Sequence, residues 1–481
     1  MPNVRRAIIF SSLTGYSLQI LGLVSTMAVA RLLSPEEIGT FAVASAIVMV
    51  IGEFRVLGAG AYLVREKELT VEKVRSALGL TMMISWGLGA GIFLSAPLVA
   101  NFYELAPIVP IFGILSISFL LAPFISLPFS IYAREMNFDV LFKVQLAGAL
   151  ANLAVTISLI LMGFSFFALA WGYTLGIITQ FVMFSLFYSP ESMRYVPHFK
   201  NLREIASFGV FNSTSNLLRK ALTIAPDLVI GKLGNTHQVG IFSRGLGFMI
   251  FIFQSLATGV SPIALPYLSG TRREGGDLAY AFLRASVLLG GMVVPVLAVG
   301  SLVSLSAIRI FFGDQWDAAA PIATWLALWV AIRSVFFFSY DLFLAAGIER
   351  EMVVRDAVVL GSAIVCILIS FPYGLERVAQ ALIISGLVEA VVTTWMLKKY
   401  IHLSVGRLVK AWLPNIFIAS GCTLATVFIK DFLNFDEQPA LVSILYMALF
   451  MPPIWLILLA VFRHPLLPEL RKIIPIMRPG R

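Results

Sequence analysis

The chain reads as an all-α integral membrane protein with about 14 transmembrane helices, on three observations. Long continuous apolar runs fill it from residue 8 to residue 462. The short loops between them are alternately rich and poor in Lys and Arg. Sequence features of the first half return in order in the second. Hydrophobic residues make up 59% of the 481 and charged residues only 13%, against roughly a quarter charged in soluble domains. The mean hydropathy is +0.92. Crossing the hydrocarbon takes about 20 mostly apolar residues per helix. Barrel strands are shorter and alternate, so a barrel is excluded.

In chain order the expected spans are 8–30, 38–63, 78–100, 108–132, 141–162, 166–188, 206–231, 239–268, 279–310, 320–346, 356–373, 378–397, 413–431 and 440–462. With a cytoplasmic N-terminus, twenty-five of the 35 Lys and Arg fall on cytoplasmic loops or adjoining helix ends. Five (Arg31, Lys232, Arg309, Arg377, Lys430) fall on the other side and five lie inside spans. This bias orients the chain with both termini in the cytoplasm. The net charge of +9 is therefore read as topology and attraction to anionic headgroups, not as a nucleic-acid surface. Ala28-Val29-Ala30 fits a signal-peptidase site, but the first span has a counterpart later in the chain and is expected to stay.

That counterpart belongs to a repeat. Gly39 aligns with Gly240, bringing Arg31/Lys232, Leu32/Leu233, Ile38/Val239 and Phe41/Phe242 into register. Arg75/Arg284, Phe102/Phe311 and Arg134-Glu135-Met136/Arg350-Glu351-Met352 follow in order at slowly growing offsets. The expected organisation is an N-lobe of six helices (1–188), a basic linker (189–205), a C-lobe of six (206–397), an extra helix pair (398–462) and a basic tail (463–481). Six is even, so the copies run parallel, an arrangement that commonly flanks a central substrate site.

Two equivalent helices carry polar stripes. Ser12, Gly15, Tyr16, Gln19, Gly22 and Thr26 share one face of the first span. Asn212, Asn216, Arg219, Lys220, Thr223 and Asp227 share one face of the seventh. Such faces meet protein or water, not lipid. Either small-residue packing or a wet cavity accounts for the first; three ionisable groups favour a cavity at the seventh.

Nine ionisable residues fall at membrane depth: Glu53, Arg55, Arg219, Lys220, Asp227, Arg244, Arg333, Asp341 and Glu389. Exposing all nine to lipid would cost about 27 kcal/mol, so each needs a partner, water or an interface. Arg244 and Asp341 lie near helix ends, where long side chains can reach headgroups. In a continuous helix Glu53 and Arg55, two apart, point to opposite sides. The substrate-cavity candidates are Arg55, Arg219, Lys220, Arg244, Arg333, Asn212, Asn216 and Gln19; the ion-coupling candidates are Glu53, Asp227, Asp341 and Glu389.

The four histidines are scattered over loops and helix ends, and Cys366 and Cys422 lie in separate spans. No metal site, disulfide framework, phosphate loop or nucleophile–base grouping is expected, hence no enzyme and no cofactor beyond a proton or sodium gradient.

The segments RLLSPEEIGTFAVA (31–44), AREMNF (133–138), GKLGNTHQVGIFSRG (231–245), FFGDQWDAAAPI (311–322) and GLERVAQA (374–381) carry a family likeness. The chain resembles bacterial polysaccharide repeat-unit flippases, the polysaccharide transporter branch of the multidrug/oligosaccharidyl-lipid/polysaccharide flippase superfamily. Arg377 departs from the glycine frequent in such sequences. The resemblance implies two six-helix lobes around a central cavity plus two helices. It also implies a substrate, an oligosaccharide joined by pyrophosphate to undecaprenol, flipped across the bacterial inner membrane by alternating access. Arg55 and Arg244 stand on the helices that carry cavity arginines in the related lipid II flippases. Expected partners are that lipid-linked oligosaccharide, membrane lipids, and the polymerase and chain-length or export proteins of the same assembly route. The alternatives are a multidrug or cation antiporter of the same superfamily and a membrane glycan polymerase or ligase.

Overall fold

The computed structural model describes residues 2–55, 58–66, 68–189, 196–199, 202–435 and 438–473. Among them all regular structure is helical. The chain divides into two compact units, Met1–Ser243 and Arg244–Arg481. This packing boundary falls within a helix, whereas the sequence reading expects a division at 189–205.

The first unit holds α1 (Pro2–Leu32), α2 (Pro35–Gly52), α3 (Ala59–Arg65), α4 (Val71–Tyr103), α5 (Ile108–Arg134), α6 (Phe138–Leu161), α7 (Phe167–Leu186), α8 (Leu202–Leu233) and the start of α9 (Thr236–Ala257). Helix α1 packs on α6, α6 on α7, and α4 on α5; α8 lies against α2, α3 and α4. The second unit continues through α10 (Ser261–Arg273), α11 (Leu278–Leu302), α12 (Ser304–Phe312), α13 (Ala319–Ser334), α14 (Ser339–Ala346), α15 (Glu349–Ser370), α16 (Leu375–Ile401), α17 (Val405–Phe432), α18 (Ala440–Val461) and α19 (Leu466–Ile473). There α11 packs on α13 and α17, α16 on α13 and α15, and α12 and α17 on α18.

Among the described residues, thirteen helical segments are long and apolar enough to cross a membrane. Helix α8 is long enough at 32 residues but carries Arg219, Lys220 and Asp227 in its middle. It stands where the sequence reading expects a further span, 206–231.

Several spans read as continuous are broken. Residues 38–63 divide into α2 and α3 around a turn at Glu53–Arg55, with Gly58 in the left-handed region at φ 72°. Residues 239–268 divide into α9 and α10, 279–310 into α11 and α12, and 320–346 into α13 and α14. Non-helical backbone at membrane depth is tolerated where it is buried in protein or lines a wet cavity. Prolines are accommodated by the same logic. Pro123 cannot donate to the Phe119 carbonyl four residues back, and Ser85 Oγ of α4 donates to it instead at 2.6 Å. Pro295 leaves the Gly291 carbonyl similarly bare, and Trp455 Nε1 of α18 fills it at 2.8 Å.

Each unit fastens a short helix by an arginine. In the first unit Arg134 at the end of α5 donates to the Leu63 and Glu66 carbonyls at the end of α3. In the second, Arg272 of α10 donates to the Ala345 carbonyl of α14. Residues 196–199 lie along α4, where His198 N donates to the Arg75 carbonyl and Arg75 Nε to that of Val196.

Candidate functional site

The first unit contains a cavity of about 480 Å³, formed by α2, the turn after it, α5, α7 and α8. Each helix contributes one face. Phe41, Ser45, Val48, Met49 and Gly52 follow i, i+4, i+7, i+8, i+11 on α2, and Ser213, Asn216 and Lys220 follow i, i+3, i+7 on α8. Leu115, Ser118 and Phe119 come from α5, and Tyr173 from α7.

The break in α2 sets the chemistry. The turn at Glu53–Arg55 carries both Glu53 and Arg55 to the cavity lining. The continuous-helix expectation, which sent them to opposite sides, is corrected here. Arg55 is half-buried, Glu53 and Lys220 are exposed, and none of the three forms an ion pair with another. Two cations and one carboxylate give the lining a formal charge of +1. Phe41, Phe119, Leu115, Val48 and Met49 supply an apolar wall beside Ser45, Ser118, Ser213, Asn216 and the Tyr173 ring. A wall of this kind accepts an anionic group on one side and a sugar ring or hydrocarbon on the other.

Other sequence candidates stand elsewhere. Arg219 is half-buried on α8, where its carbonyl accepts from Thr223 Oγ1 at 3.3 Å, and it does not line this cavity. Gln19 is half-buried on α1, likewise away from the lining. The Asn212 side chain lies outside the described residues. Asp227, two turns beyond Lys220, accepts a hydrogen bond from Ser243 and has a buried Oδ1 without a partner.

In the second unit Arg333 Nε donates to Glu389 Oε2 at 2.6 Å and its guanidinium lies 4.5 Å from the Trp329 ring. Arg244 sits between Phe312 and Trp316, 5.0 and 4.8 Å from the ring centres, with a buried Nε that has no hydrogen-bond partner. The FFGDQW segment (311–316) thus forms an aromatic clamp, and across it Arg309 grips Asp317 through Nε and Nη2, at 2.9 and 2.6 Å. Asp341 is half-buried on α14.

Tyr173, Ser45 and Ser118 were not singled out by sequence. A lone hydroxyl in an apolar span more often closes onto its own helix, as Ser118 does onto the Leu115 carbonyl at 2.7 Å. Only the break in α2, which turns charged groups toward them, marks these faces as wet.

A family model described as "Polysaccharide biosynthesis protein" matches residues 28–321. The chain belongs to that family. It is 22% identical over 299 residues, 60% of each chain, to the teichuronic acid biosynthesis protein TuaB of Bacillus subtilis. It is 23% identical over 312 residues, 63% of this chain and 62% of the other, to the succinoglycan biosynthesis transport protein ExoT of Rhizobium meliloti. The chain thus spans about three fifths of the length of the curated relatives it matches. Its fold is similar to that of the lipid II flippase MurJ in an inward closed conformation, with a TM-score of 0.75 at 17% identity over 94% of this chain and 98% of that one. A multi-pass membrane protein of this family has the architecture expected from hydropathy alone.

Proposed function

We propose that this chain flips an undecaprenyl-pyrophosphate-linked oligosaccharide repeat unit across a bacterial inner membrane for surface polysaccharide synthesis, acting as a carrier and not as an enzyme. One observation carries the reading: Arg55 and Lys220 face a single membrane-embedded cavity in which only Glu53 opposes them. A diphosphate cannot cross hydrocarbon bare, and two unpaired cations offer the charge-assisted hydrogen bonds it needs. The polar lining suits the first sugar ring, while the polyprenyl tail stays among lipid chains. Arg219, Arg244 and Arg333 act later along the path or in holding the helices. With both termini cytoplasmic, the cavity loads from the inside and alternating access delivers the substrate outside. A proton or sodium gradient resets the cycle through Glu53 or Asp227. Membrane lipids and the polymerase and export proteins of the route are the partners of this reading.

The test is translocation of a labelled lipid-linked oligosaccharide in proteoliposomes by Arg55→Ala/Lys220→Ala, with exposed Arg309→Gln as control. The double variant is expected to flip at least tenfold more slowly while the control keeps the parent rate. Parent rates in the double variant remove these residues from the mechanism.

A further inference from the structure

The first turns of α2 and α9 are built alike and touch each other. On α2, Ser34 caps the helix: Glu37 N donates to Ser34 Oγ at 3.3 Å and Ser34 N to Glu37 Oε2 at 2.8 Å. On α9 the same reciprocal box joins Asn235 and Gln238, with Gln238 N donating to Asn235 Oδ1 at 2.9 Å and Asn235 N to Gln238 Oε1 at 3.2 Å. Five residues past each cap stands a glycine, Gly39 or Gly240, the pair that anchors the sequence repeat. A Cβ on Gly39 would overlap the Thr236 carbonyl and come within 2.9 Å of Gly240 N; one on Gly240 would overlap the Pro35 carbonyl. Each glycine therefore rests on the first-turn carbonyl of the other helix, in a contact with local two-fold symmetry. Only glycine allows backbone to approach backbone this closely, and Cα–H to carbonyl contacts add weak attraction. Both atoms met are main chain, which no rotamer change can move aside.

We infer that this glycine pair is the outer seal of the carrier, the point where the exit to the extracytoplasmic side closes and opens. The inference rests on the carrier reading and on the orientation from loop charge, which puts both capped turns outside. A seal that must re-form every cycle suits this contact: it is small, holds no ion pair, and joins one helix from each copy of the repeat. Ser165 of the α6–α7 loop donates to Glu37 and Lys232 Nζ donates to the Phe102 carbonyl at 2.6 Å, so neighbouring outer turns are tied down around it.

The experiment places a reporter thiol at Ser45→Cys on the cavity wall, with Cys366→Ser and Cys422→Ser removing the native thiols. A membrane-impermeant maleimide is applied from outside in the absence of substrate. Gly39→Val and Gly240→Val are expected to raise outside labelling at least tenfold. Gly22→Val, at a glycine with open space around it, is expected to match the parent. Where a valine variant fails to reach the membrane, Gly39→Ala and Gly240→Ala, which meet the same carbonyls, give the same readout. Parent labelling rates in the Gly39 and Gly240 variants overturn the seal. Because labelling needs no substrate, a protein that moves no lipid-linked oligosaccharide yet shows the labelling change loses the transport reading and keeps the seal.

Discussion

The charged side chains described above fall into two kinds, told apart by what stands within 4 Å. Arg333 and Glu389 form a pair in which Glu389 is 8% exposed. Arg355 and Asp356, both 4–5% exposed, pair beside Ser339, whose Oγ accepts from Arg355 Nη1 at 2.7 Å. Removing one partner of such a pair leaves an uncompensated charge, whereas replacing both with apolar groups is often neutral. Arg333→Met is therefore expected to lower stability by about 3 kcal/mol, and Arg333→Met/Glu389→Leu to recover most of it, as thermal unfolding in detergent will measure. Arg55 and Lys220 have no such partners, and their loss is expected to affect transport far more than folding. Ser85→Ala would strand the Phe119 carbonyl above Pro123 and cost about 1–3 kcal/mol in the same assay. The sequence listed all nine membrane-depth charges but could not sort them. Arg333 and Glu389 are 56 positions apart, and only the packing of α13 on α16 brings them together.

A capping box written in four consecutive residues, Ser34 to Glu37, starts α2 at Pro35, three residues before the apolar run read as the span. Helix breaks were not legible. Nothing in the apolar run 38–63 announces a turn at Glu53 except clustered glycines, which also occur in unbroken helices such as α4. The tail also holds more order than its composition suggests. Helix α19 is stapled to the second unit by Leu466 packing on Ile418, Cys422 and Leu459, and by Glu469 bound to Arg284 at 3.0 Å. His464 is buried at its root with Nε2 unpartnered, against Gly291. Burial pushes the His464 imidazole down to about 4 from its ordinary 6.5. The released tail thus binds a proton that the docked one refuses. Docking is at full strength above pH 6.5 and weakens as pH falls toward 4, by on the order of 2–3 kcal/mol. The protection of α19 amides, taken relative to the intrinsic exchange rate at each pH, is expected to fall over that window, and His464→Phe to abolish the acid dependence. Protection that stays flat from pH 7 to 4.5 would dissociate His464 from docking.

At the scale of the whole molecule, thirteen apolar helices among the described residues make a membrane protein whose helical architecture hydropathy had already announced. What it could not announce is how α8 is accommodated: α2, α3 and α4 pack on it, and its Ser213, Asn216 and Lys220 line a cavity shared with α2, the turn after it, α5 and α7. That dependence has a consequence for biogenesis. Three ionisable groups in α8, Arg219, Lys220 and Asp227, oppose entry from the translocon by roughly 8 kcal/mol, against about half a kcal/mol gained for each Leu, Ile, Val or Phe. Residues 202–233 fused alone to a reporter are expected to insert in a minority of chains by glycosylation mapping, and in most chains when residues 1–201 precede them. The ribosome delivers α2, α3 and α4 before α8, so the order of synthesis supplies a ready-made polar berth for the one helix that lipid would refuse.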